Sequence, residues 1–335
     1  MPSSGRSGRR AAGRAGAAAV AAASLALAAA TLAALAPTEP ASPVVHPLAA
    51  VAPAAVAVAA VAPGGPPAGP AAEVSARQAP ALVAAYNLRP FGNPGWRRVR
   101  LDLKSADAVT RSFTVVNVWS RQERVVRTLF ALEQPEKLRG TDYLLIEDPA
   151  EPSGMRVYLH LPAGRRGVLR IQPNAFGEGL LGSDFGYRDL RMGIPTAGCR
   201  LALGGRRTLG GEAVQVVDSV PEAAALREVS PWGRTRYYLA ESAPVLLGAD
   251  YFTGADDARP AKQLRVLGYR RIDGAWTETR MVMSGQERRS SVLTLLDFKA
   301  SVPYAPELFA PAALPSAGAR LGALRLGSFA PGAAR

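Results

Sequence analysis

The sequence predicts a mainly β protein built as one antiparallel meander. From Trp96 onward, apolar and polar residues alternate in short runs, which is the pattern of strands with one buried face. The runs are separated by Gly, Pro and polar turns, and Asp273-Gly274 is a two-residue hairpin signal. No long helical pattern separates successive strands, so a parallel βαβ arrangement is not expected.

The alternating runs predict about eleven or twelve strands in a single domain. An antiparallel sheet of that size has to curl, and curling leaves a concave apolar face that helices can fill or a ligand can occupy. The predicted strands lie at residues 98–103, 111–120, 123–133, 142–148, 156–162, 167–173, 212–220, 234–242, 244–253, 261–272, 275–284 and 291–299.

Helical patterns are confined to two stretches of this domain. One covers residues 72–88 despite an internal Pro80, and the other is a short helix over 183–191. The sequence "LGGRRTLGG", residues 203–211, lacks the Lys-Ser/Thr pair of a phosphate-binding loop. We therefore predict a flexible basic loop there.

The two ends of the chain differ from the domain in composition. Arginines, an uncharged Ala-rich run and a small-residue triplet predict a signal peptide over residues 1–36, and hence export. The run is also long enough for an uncleaved membrane anchor, which remains an alternative. Residues 37–72 are rich in Ala and Pro and predict an extended linker. The folded domain is expected over 73–310 and a loose tail over 311–335, with a short amphipathic helix near 321–326 as an alternative.

Charge and cysteine content exclude several classes of function. The net charge is +13, but outside the ends the basic residues occur singly or in pairs, with no nucleic-acid-binding module. We expect no nucleic-acid partner, although anionic lipid headgroups suit such a surface. Cys199 is the only cysteine, so neither an intrachain disulfide nor a cysteine metal site can form. We predict no metal and no cofactor.

Catalysis has little support in the sequence. A Ser-His-Asp mechanism needs a histidine, and the chain has only His46, in the linker, and His160. Alternation places His160 on the face of its strand opposite Leu159, and no G-x-S-x-G motif is present. The carboxylate pair Asp256 and Asp257 fits a solvated turn. We predict that the protein is not an enzyme.

A second pair of carboxylates lies in "LLGSDFGYRDL", residues 180–190. We predict a turn in which Ser183 or Asp184 caps the short helix that follows. Phe185 and Leu190 would hold this helix on the apolar face of the sheet. The side chains of Tyr187 and Asp189 would bind nearby arginines or backbone amides. The predicted structural loop comprises Gly182, Ser183, Asp184, Phe185, Tyr187 and Asp189.

The order of several segments resembles a known family. "LRGTDYLLIED", "MRVYLHLPAGRRGVLRI" and "LLGSDFGYRDL" are followed by "YYLAESAP", "DYFTGADDARPAKQL", "GAWTETRMVM" and "VPYAPELFAP". This order is similar to the outer-membrane lipoprotein-sorting, LolA/LolB-like proteins of Gram-negative periplasms, over about residues 75–310. The chain departs from the family pattern at Arg188, where an acidic residue is usual, in the extra linker and in the segment 193–211.

The resemblance implies a curved antiparallel half-barrel closed by short helices, which holds an acyl chain of a lipoprotein or lipid. It also implies a monomeric periplasmic carrier that works beside an exporter of the resistance-nodulation-division (RND) type. Physical chemistry supports the cavity independently, because each CH₂ exposed to water costs about 0.8 kcal/mol. Two alternatives stay open: a periplasmic lipoprotein-sensing module on the same fold, and a hydrolase that would depend on His160.

Large apolar strand residues are the candidates for the cavity wall, although ordinary core packing would explain each of them equally well. Met281 and Met283 share one face of a strand, and methionine suits an adaptable wall. The candidates are Trp119, Phe130, Leu144, Leu159, Leu246, Met281 and Met283.

Overall fold

A computed structural model describes residues 70–323, except 90, 149–150, 152, 163–166 and 286–288. The predicted signal peptide, nearly all of the linker and the end of the predicted tail lie outside the described residues. In the described part, no helix is both long and apolar enough to cross a membrane.

Thirteen antiparallel strands form one open, curved sheet in the described part of the chain. The mainly β prediction is confirmed, and each predicted strand is found within a few residues of its expected position. The strands are β1 Gly95–Ser105, β2 Ala108–Gln122, β3 Val125–Gln134, β4 Asp142–Glu147, β5 Met155–His160, β6 Val168–Ile171, β7 Cys199–Leu209, β8 Glu212–Pro221, β9 Arg234–Ala240, β10 Leu246–Phe252, β11 Lys262–Ile272, β12 Ala275–Ser284 and β13 Arg289–Ala300.

The strand that sequence analysis missed is β7. We predicted a flexible basic loop for residues 203–211, and the structure shows that they belong to an edge strand and its turn, with β7 paired to β8 along its whole length. Two local features hid the strand. A bulge falls between Leu203 and Gly205, and Gly210 and Gly211 adopt positive φ angles in the tight turn that leads into β8. The prediction was wrong because these glycines shape a hairpin.

The order of the strands in the sheet is β6-β5-β4-β3-β2-β1-β13-β12-β11-β10-β9-β8-β7. The first strand, β1, therefore lies near the middle of the sheet. The following strands are added outward as far as β6 at one edge, and β7 begins at the opposite edge. Residues 172–198 connect these two edges, and we call them the crossing segment. A connection of this kind has to traverse a whole face of the sheet.

The two faces carry separate apolar clusters, because successive side chains of a strand point in opposite directions. In β4, Tyr143 and Leu145 join the larger cluster, which lies on the face covered by the crossing segment. This inner cluster contains residues of strands β1–β5 and of strands β10–β13. Strands so distant from each other in the sheet can contribute to one cluster only because the sheet is curved. Leu144 and Ile146 point to the outer face.

Helices cover parts of both faces. The predicted N-terminal helix is present as α1 (Pro70–Asn87), with Pro80 inside it, and it packs on β7 through Ala79 and Val83. A second helix, α2 (Ala224–Val229), follows β8.

The outer face is covered by the C-terminal segment. The helix α3 (Ala317–Ala323) follows 3₁₀ turns at Pro306–Phe309 and Pro311–Ser316. Leu314 and Leu321 are buried there against strand residues that include Leu129 and Leu144. Residues 311–323 were predicted as loose tail, so the boundary that we placed at 310 is too early.

Asp142 lies beneath α3 and gives the fold a pH-dependent weak point. Burial raises the pKa of Asp142 from 3.8 to about 6, against the opposing effects of the Gly318 backbone amide and His160. The Oδ1 atom has no hydrogen-bond partner. Because the folded-state pKa is raised, the folded chain binds more protons than the unfolded chain between about pH 4 and 6, and stability falls as pH rises through that range.

We therefore expect Asp142→Asn to raise the free energy of unfolding at pH 8 by about 2 kcal/mol, with no gain near pH 3.5. Urea unfolding of both proteins across this pH range measures the difference. The control is Asp256→Asn, an exposed position in a turn, which should change nothing. A gain of the same size at pH 3.5 and pH 8 would show that the effect does not come from the titration of Asp142, and hence that folding does not raise the pKa of its carboxyl group.

Candidate functional site

The crossing segment covers the inner face with three 3₁₀ turns: Pro173–Ala175, Leu180–Gly182 and Tyr187–Leu190. Its apolar side chains are part of the inner cluster, and the buried ones are Phe176, Leu180, Leu181, Phe185 and Tyr187. The predicted short helix over 183–191 is therefore reduced to one 3₁₀ turn. The inner face is filled mainly by this irregular segment, and only its edge over β7 is covered by α1.

Polar contacts inside residues 180–190 differ from the predicted cap. The Ser183 hydroxyl accepts a hydrogen bond from the Phe185 amide at 3.2 Å and so closes a local turn. Asp184 accepts from the Ser291 hydroxyl at 2.7 Å, and its own amide donates back to the same oxygen at 2.9 Å. Neither side chain caps a helix. The Tyr187–Leu190 turn is instead capped by Asp189, which accepts from the Gly186 amide at 2.7 Å.

The link between Asp184 and Ser291 ties the crossing segment to β13. We expect Asp184→Ala to lower the free energy of unfolding by about 1 kcal/mol and the melting temperature by about 2–4 °C, without weakening acyl-probe binding per folded molecule. Asp184→Asn keeps an acceptor and serves as the control. Lost probe binding with unchanged stability would place Asp184 in a binding site.

Asp189 forms a buried ion pair with Lys262 of β11. The side chains are 4% and 10% exposed, and the Lys262 ammonium lies 5.2 Å from the centre of the Tyr251 ring. Burial and the Asp189 charge raise the pKa of Tyr251 well above its usual value, and the Tyr251 hydroxyl donates to Asp189. Sequence analysis predicted arginine or backbone partners for Asp189. The predicted backbone partner is present as the Gly186 amide, whereas the cation that binds Asp189 is Lys262 and not an arginine.

A cavity of about 110 Å³ remains between the crossing segment and strands β7–β11. The end of α1 and the chain around α2 close its sides. Its apolar wall includes Tyr86, Met192, Ile194, Trp232, Tyr237 and Leu246, and its polar groups include Arg188, Asp189, Arg191, Cys199 and Ser219.

Arg188 and Arg191 bring two guanidinium groups to this cavity. The Nε atoms of Arg188 and Arg191 are both buried without a hydrogen-bond partner. Burial, together with the neighbouring Arg191, lowers the pKa of Arg188 to about 10. An apolar cavity thus has two guanidinium groups at its wall.

The predicted cavity candidates do not lie together in the structure. Phe130, Leu159 and Met283 belong to the inner cluster, and Met281 packs against it. Leu246 lines the cavity itself. Trp119 lies in a separate cluster with Phe91 and Phe298. Leu144 lies on the outer face beneath the C-terminal segment, away from the inner cluster.

Several cavity residues escaped sequence analysis. Thr235 and Tyr237 lie on the same face of β9 and both line the cavity. The alternation of the strand indicates that they share a face, but it does not indicate what covers that face. Arg188 carried a usable signal, because it departs from the pattern of the family that the sequence resembles. Its position over the cavity follows only from the path of the crossing segment.

His160 lies at the end of β5, half-buried, with its Nδ1 atom 3.3 Å from the Gly167 carbonyl oxygen. We expect His160→Ala to change the free energy of unfolding by less than about 0.5 kcal/mol and to leave acyl-probe binding unaltered. Denaturant unfolding and probe titration measure the two effects. Lost function with unchanged stability would restore the hydrolase alternative.

The other predicted carboxylate pair lies in a turn. Asp257 accepts a hydrogen bond from the Gly254 amide at 2.6 Å, and Asp256 is exposed. Within the described ranges, no group of three or more His, Cys, Asp or Glu side chains could hold a metal ion.

Comparison with known proteins agrees with this fold. The sequence profile of a DUF1329-like family of uncharacterized proteins matches residues 124–316, which is more than half of the chain. The sequence has no significant match among curated proteins.

Three solved structures share the fold at low sequence identity. A DUF1329 family protein from Desulfovibrio piger is 17% identical with a TM-score of 0.64, and the match covers 72% of this chain and 99% of that one. A domain assigned as an outer membrane lipoprotein-sorting protein, from Vibrio parahaemolyticus, is 18% identical with a TM-score of 0.63, over 72% and 99%. A LolA superfamily protein from Nitrosomonas europaea is 15% identical with a TM-score of 0.53, over 69% and 97%.

Proposed function

We propose a function on the premise that the chain belongs to the DUF1329-like family: it is a non-enzymatic carrier that binds an acyl chain of a lipoprotein or lipid. One observation carries this proposal. A broad apolar face of the sheet is covered by an irregular segment rather than by regular helices, and an apolar cavity remains beneath it. The sorting role assigned to the Vibrio parahaemolyticus domain, on the same fold, supports it.

The cavity beneath the crossing segment is too small to hold a whole acyl chain. Ligand pockets typically measure about 300–1,000 Å³, and the cavity of about 110 Å³ is smaller. A chain of about a dozen carbons therefore enters only if part of the crossing segment moves outward. Such an exchange is energetically close to balanced, because acyl CH₂ groups that take the places of Phe176, Leu180 and Phe185 bury a comparable apolar surface.

A few polar links hold the crossing segment closed. Asp184 binds Ser291, Asp189 binds Lys262, and Arg191 donates to the Gly154 carbonyl oxygen at 3.2 Å. These links join the segment to three different strands or turns, and none of them is a regular sheet hydrogen bond. The segment is thus attached at discrete points, which suits a cover that opens and closes.

A disulfide across one of these links tests the proposal. In a Cys199→Ser background, Asp184→Cys with Ser291→Cys would fix the crossing segment to β13 once mass spectrometry shows that the bond has formed. We expect the oxidised protein to bind a fluorescent acyl probe poorly and the reduced protein to bind it normally. The Asp184→Cys single variant is the control. Equal binding in both redox states would contradict opening at this link.

Native mass spectrometry of the protein purified after export tests directly whether it carries a lipid. We expect a co-purifying lipid or acylated species that delipidation removes and an added acyl probe replaces. If the protein neither co-purifies with lipid nor binds the probe at any concentration, the carrier proposal fails.

The cellular setting is part of the same proposal. We propose that the protein is exported to the periplasm, works as a monomer and delivers its cargo towards the outer membrane beside an RND-type exporter. Amino-terminal sequencing of the periplasmic protein should find a start near residue 37. A start at Met1 or Pro2 would indicate an uncleaved membrane anchor.

A further inference from the structure

We propose that the ligand is an amphiphile with an anionic headgroup, a carboxylate or a phosphate, and that Arg188 and Arg191 bind this headgroup at the cavity. This inference rests on the proposed carrier function and deepens it by naming the class of ligand. It follows from the charges around an otherwise apolar cavity.

Arg188 lies at the cavity without a carboxylate partner among the described residues. Its Nη2 atom donates weakly to the Val229 carbonyl oxygen at 3.3 Å, and its guanidinium lies 5.7 Å from the centre of the Phe176 ring. The Nε atom is buried and unbonded. Taking an arginine out of water without a counter-ion is costly, so a site of this kind is completed by an anion.

Arg191 is only partly neutralised. Its Nε atom is 3.7 Å from a carboxylate oxygen of Glu147, which is too long for a hydrogen bond, and its Nη2 atom donates to Gly154. The Glu147 carboxylate also accepts from the Met192 amide at 2.7 Å. Arg191 therefore keeps hydrogen-bonding capacity for a second anion.

The nearby acidic groups do not balance the cations. Asp189 is already engaged by Lys262, by the Gly186 amide and by the Tyr251 hydroxyl. Arg188, Arg191 and Lys262 thus face two carboxylates, those of Asp189 and Glu147. The excess is one positive charge beside an apolar wall. A guanidinium binds carboxylate and phosphate oxygens in a bidentate manner, and an apolar tail suits the wall behind it.

The cavity also contains a natural reporter. Cys199 is the only cysteine of the chain, and it lines the cavity beside both arginines. A ligand bound there should slow the reaction of the thiol with a maleimide. Isothermal titration calorimetry with the same ligands gives affinities that do not depend on the thiol.

The experiment compares C12 ligands that differ only in their headgroup, each below its micelle concentration and with the full-length protein. The ligands are laurate, dodecyl phosphate, dodecanol and dodecyltrimethylammonium. We expect laurate, dodecyl phosphate or both to protect Cys199 and to bind about tenfold or more tightly than dodecanol. The better anion identifies the source, a free acyl carboxylate or a phosphate headgroup.

Arg188→Gln should reduce the affinity for the anionic ligands about tenfold or more and narrow their advantage over dodecanol. The matched control is Arg200→Gln. Arg200 follows Cys199 in β7, but its side chain is exposed and forms an ion pair with Glu222 at 2.7 Å. This control should bind every ligand as the wild type does.

The outcomes separate the two proposals. If laurate, dodecyl phosphate and dodecanol bind equally and Arg188→Gln changes nothing, the headgroup inference is overturned while the carrier proposal stands. If none of the C12 ligands binds, both proposals fail. Preferential binding of dodecyltrimethylammonium would also overturn the headgroup inference.

Discussion

Met283→Glu should lower the free energy of unfolding at pH 7 by about 3–4 kcal/mol. Met283 is fully buried among the apolar side chains of the inner cluster, so the new glutamate becomes protonated on folding. Holding a group with a normal pKa near 4.3 in its neutral form at pH 7 accounts for this cost. Because the folded-state pKa is raised, the loss should shrink as the pH falls towards 5.

Two variants serve as controls for Met283→Glu. Met283→Leu nearly keeps the volume and should cost less than about 1.5 kcal/mol. Met281→Glu lies on the same face of β12 but is half-buried, so its cost should be smaller than that of Met283→Glu. Urea unfolding at pH 5 and pH 7 measures all three. A loss below about 1 kcal/mol for Met283→Glu would show that the inner cluster is open to water at this point.

The same variants test the route of the acyl chain. Met283 contributes to the inner cluster rather than to the wall of the present cavity. If the chain enters by displacing the crossing segment, it spreads over this cluster, and Met283→Glu should bind an acyl probe far more weakly than Met283→Leu. Equal binding by a folded Met283→Glu protein would exclude Met283 from the binding surface.

Lys262→Met should cost about 3 kcal/mol or more, since it leaves the Asp189 carboxylate buried without its cation. The double variant Lys262→Met with Asp189→Asn should recover most of that stability, because the amide oxygen still accepts from the Gly186 amide. Denaturant unfolding of the two single variants and the double variant gives their coupling.

An exposed ion pair provides the matched control for Lys262→Met. Lys299 lies 3.8 Å from Asp273, and the two side chains are 60% and 40% exposed. Lys299→Met should therefore change stability by less than about 1 kcal/mol. Equal effects at Lys262 and Lys299 would mean that the Asp189 pair is as hydrated as the surface pair.

Sequence analysis located the strands because alternation is a local property. Each strand buries one face, so apolar and polar residues alternate along it with a period of two, whichever segment packs against that face. β7 was the exception, since bulge and turn glycines interrupt its alternation. The 3₁₀ turn at Tyr187–Leu190 was predicted as an α-helix. A 3₁₀ turn and a short α-helix have similar capping residues and a similar spacing of apolar residues, so the sequence does not distinguish them.

The candidate site was less accessible to sequence analysis. Leu144 and Leu159 look alike in sequence, yet one lies under the C-terminal segment and the other under the crossing segment. Alternation tells which residues share a face of one strand. It does not tell which face of the finished sheet is concave or which segment covers it.

The sequence by itself determined the fold class, the position of nearly every strand, the N-terminal helix and the presence of a special segment at 180–190. Only the tertiary structure decided that this segment crosses the inner face, that Asp189 pairs with Lys262, and that Arg188 reaches the cavity without forming an ion pair with any carboxylate of the described residues. The physical reason is range. Strand periodicity and turn chemistry act between neighbours in the chain, whereas β6 and β7 stand at opposite edges of the sheet, and their connection acquires its contacts only when the sheet curves beneath it.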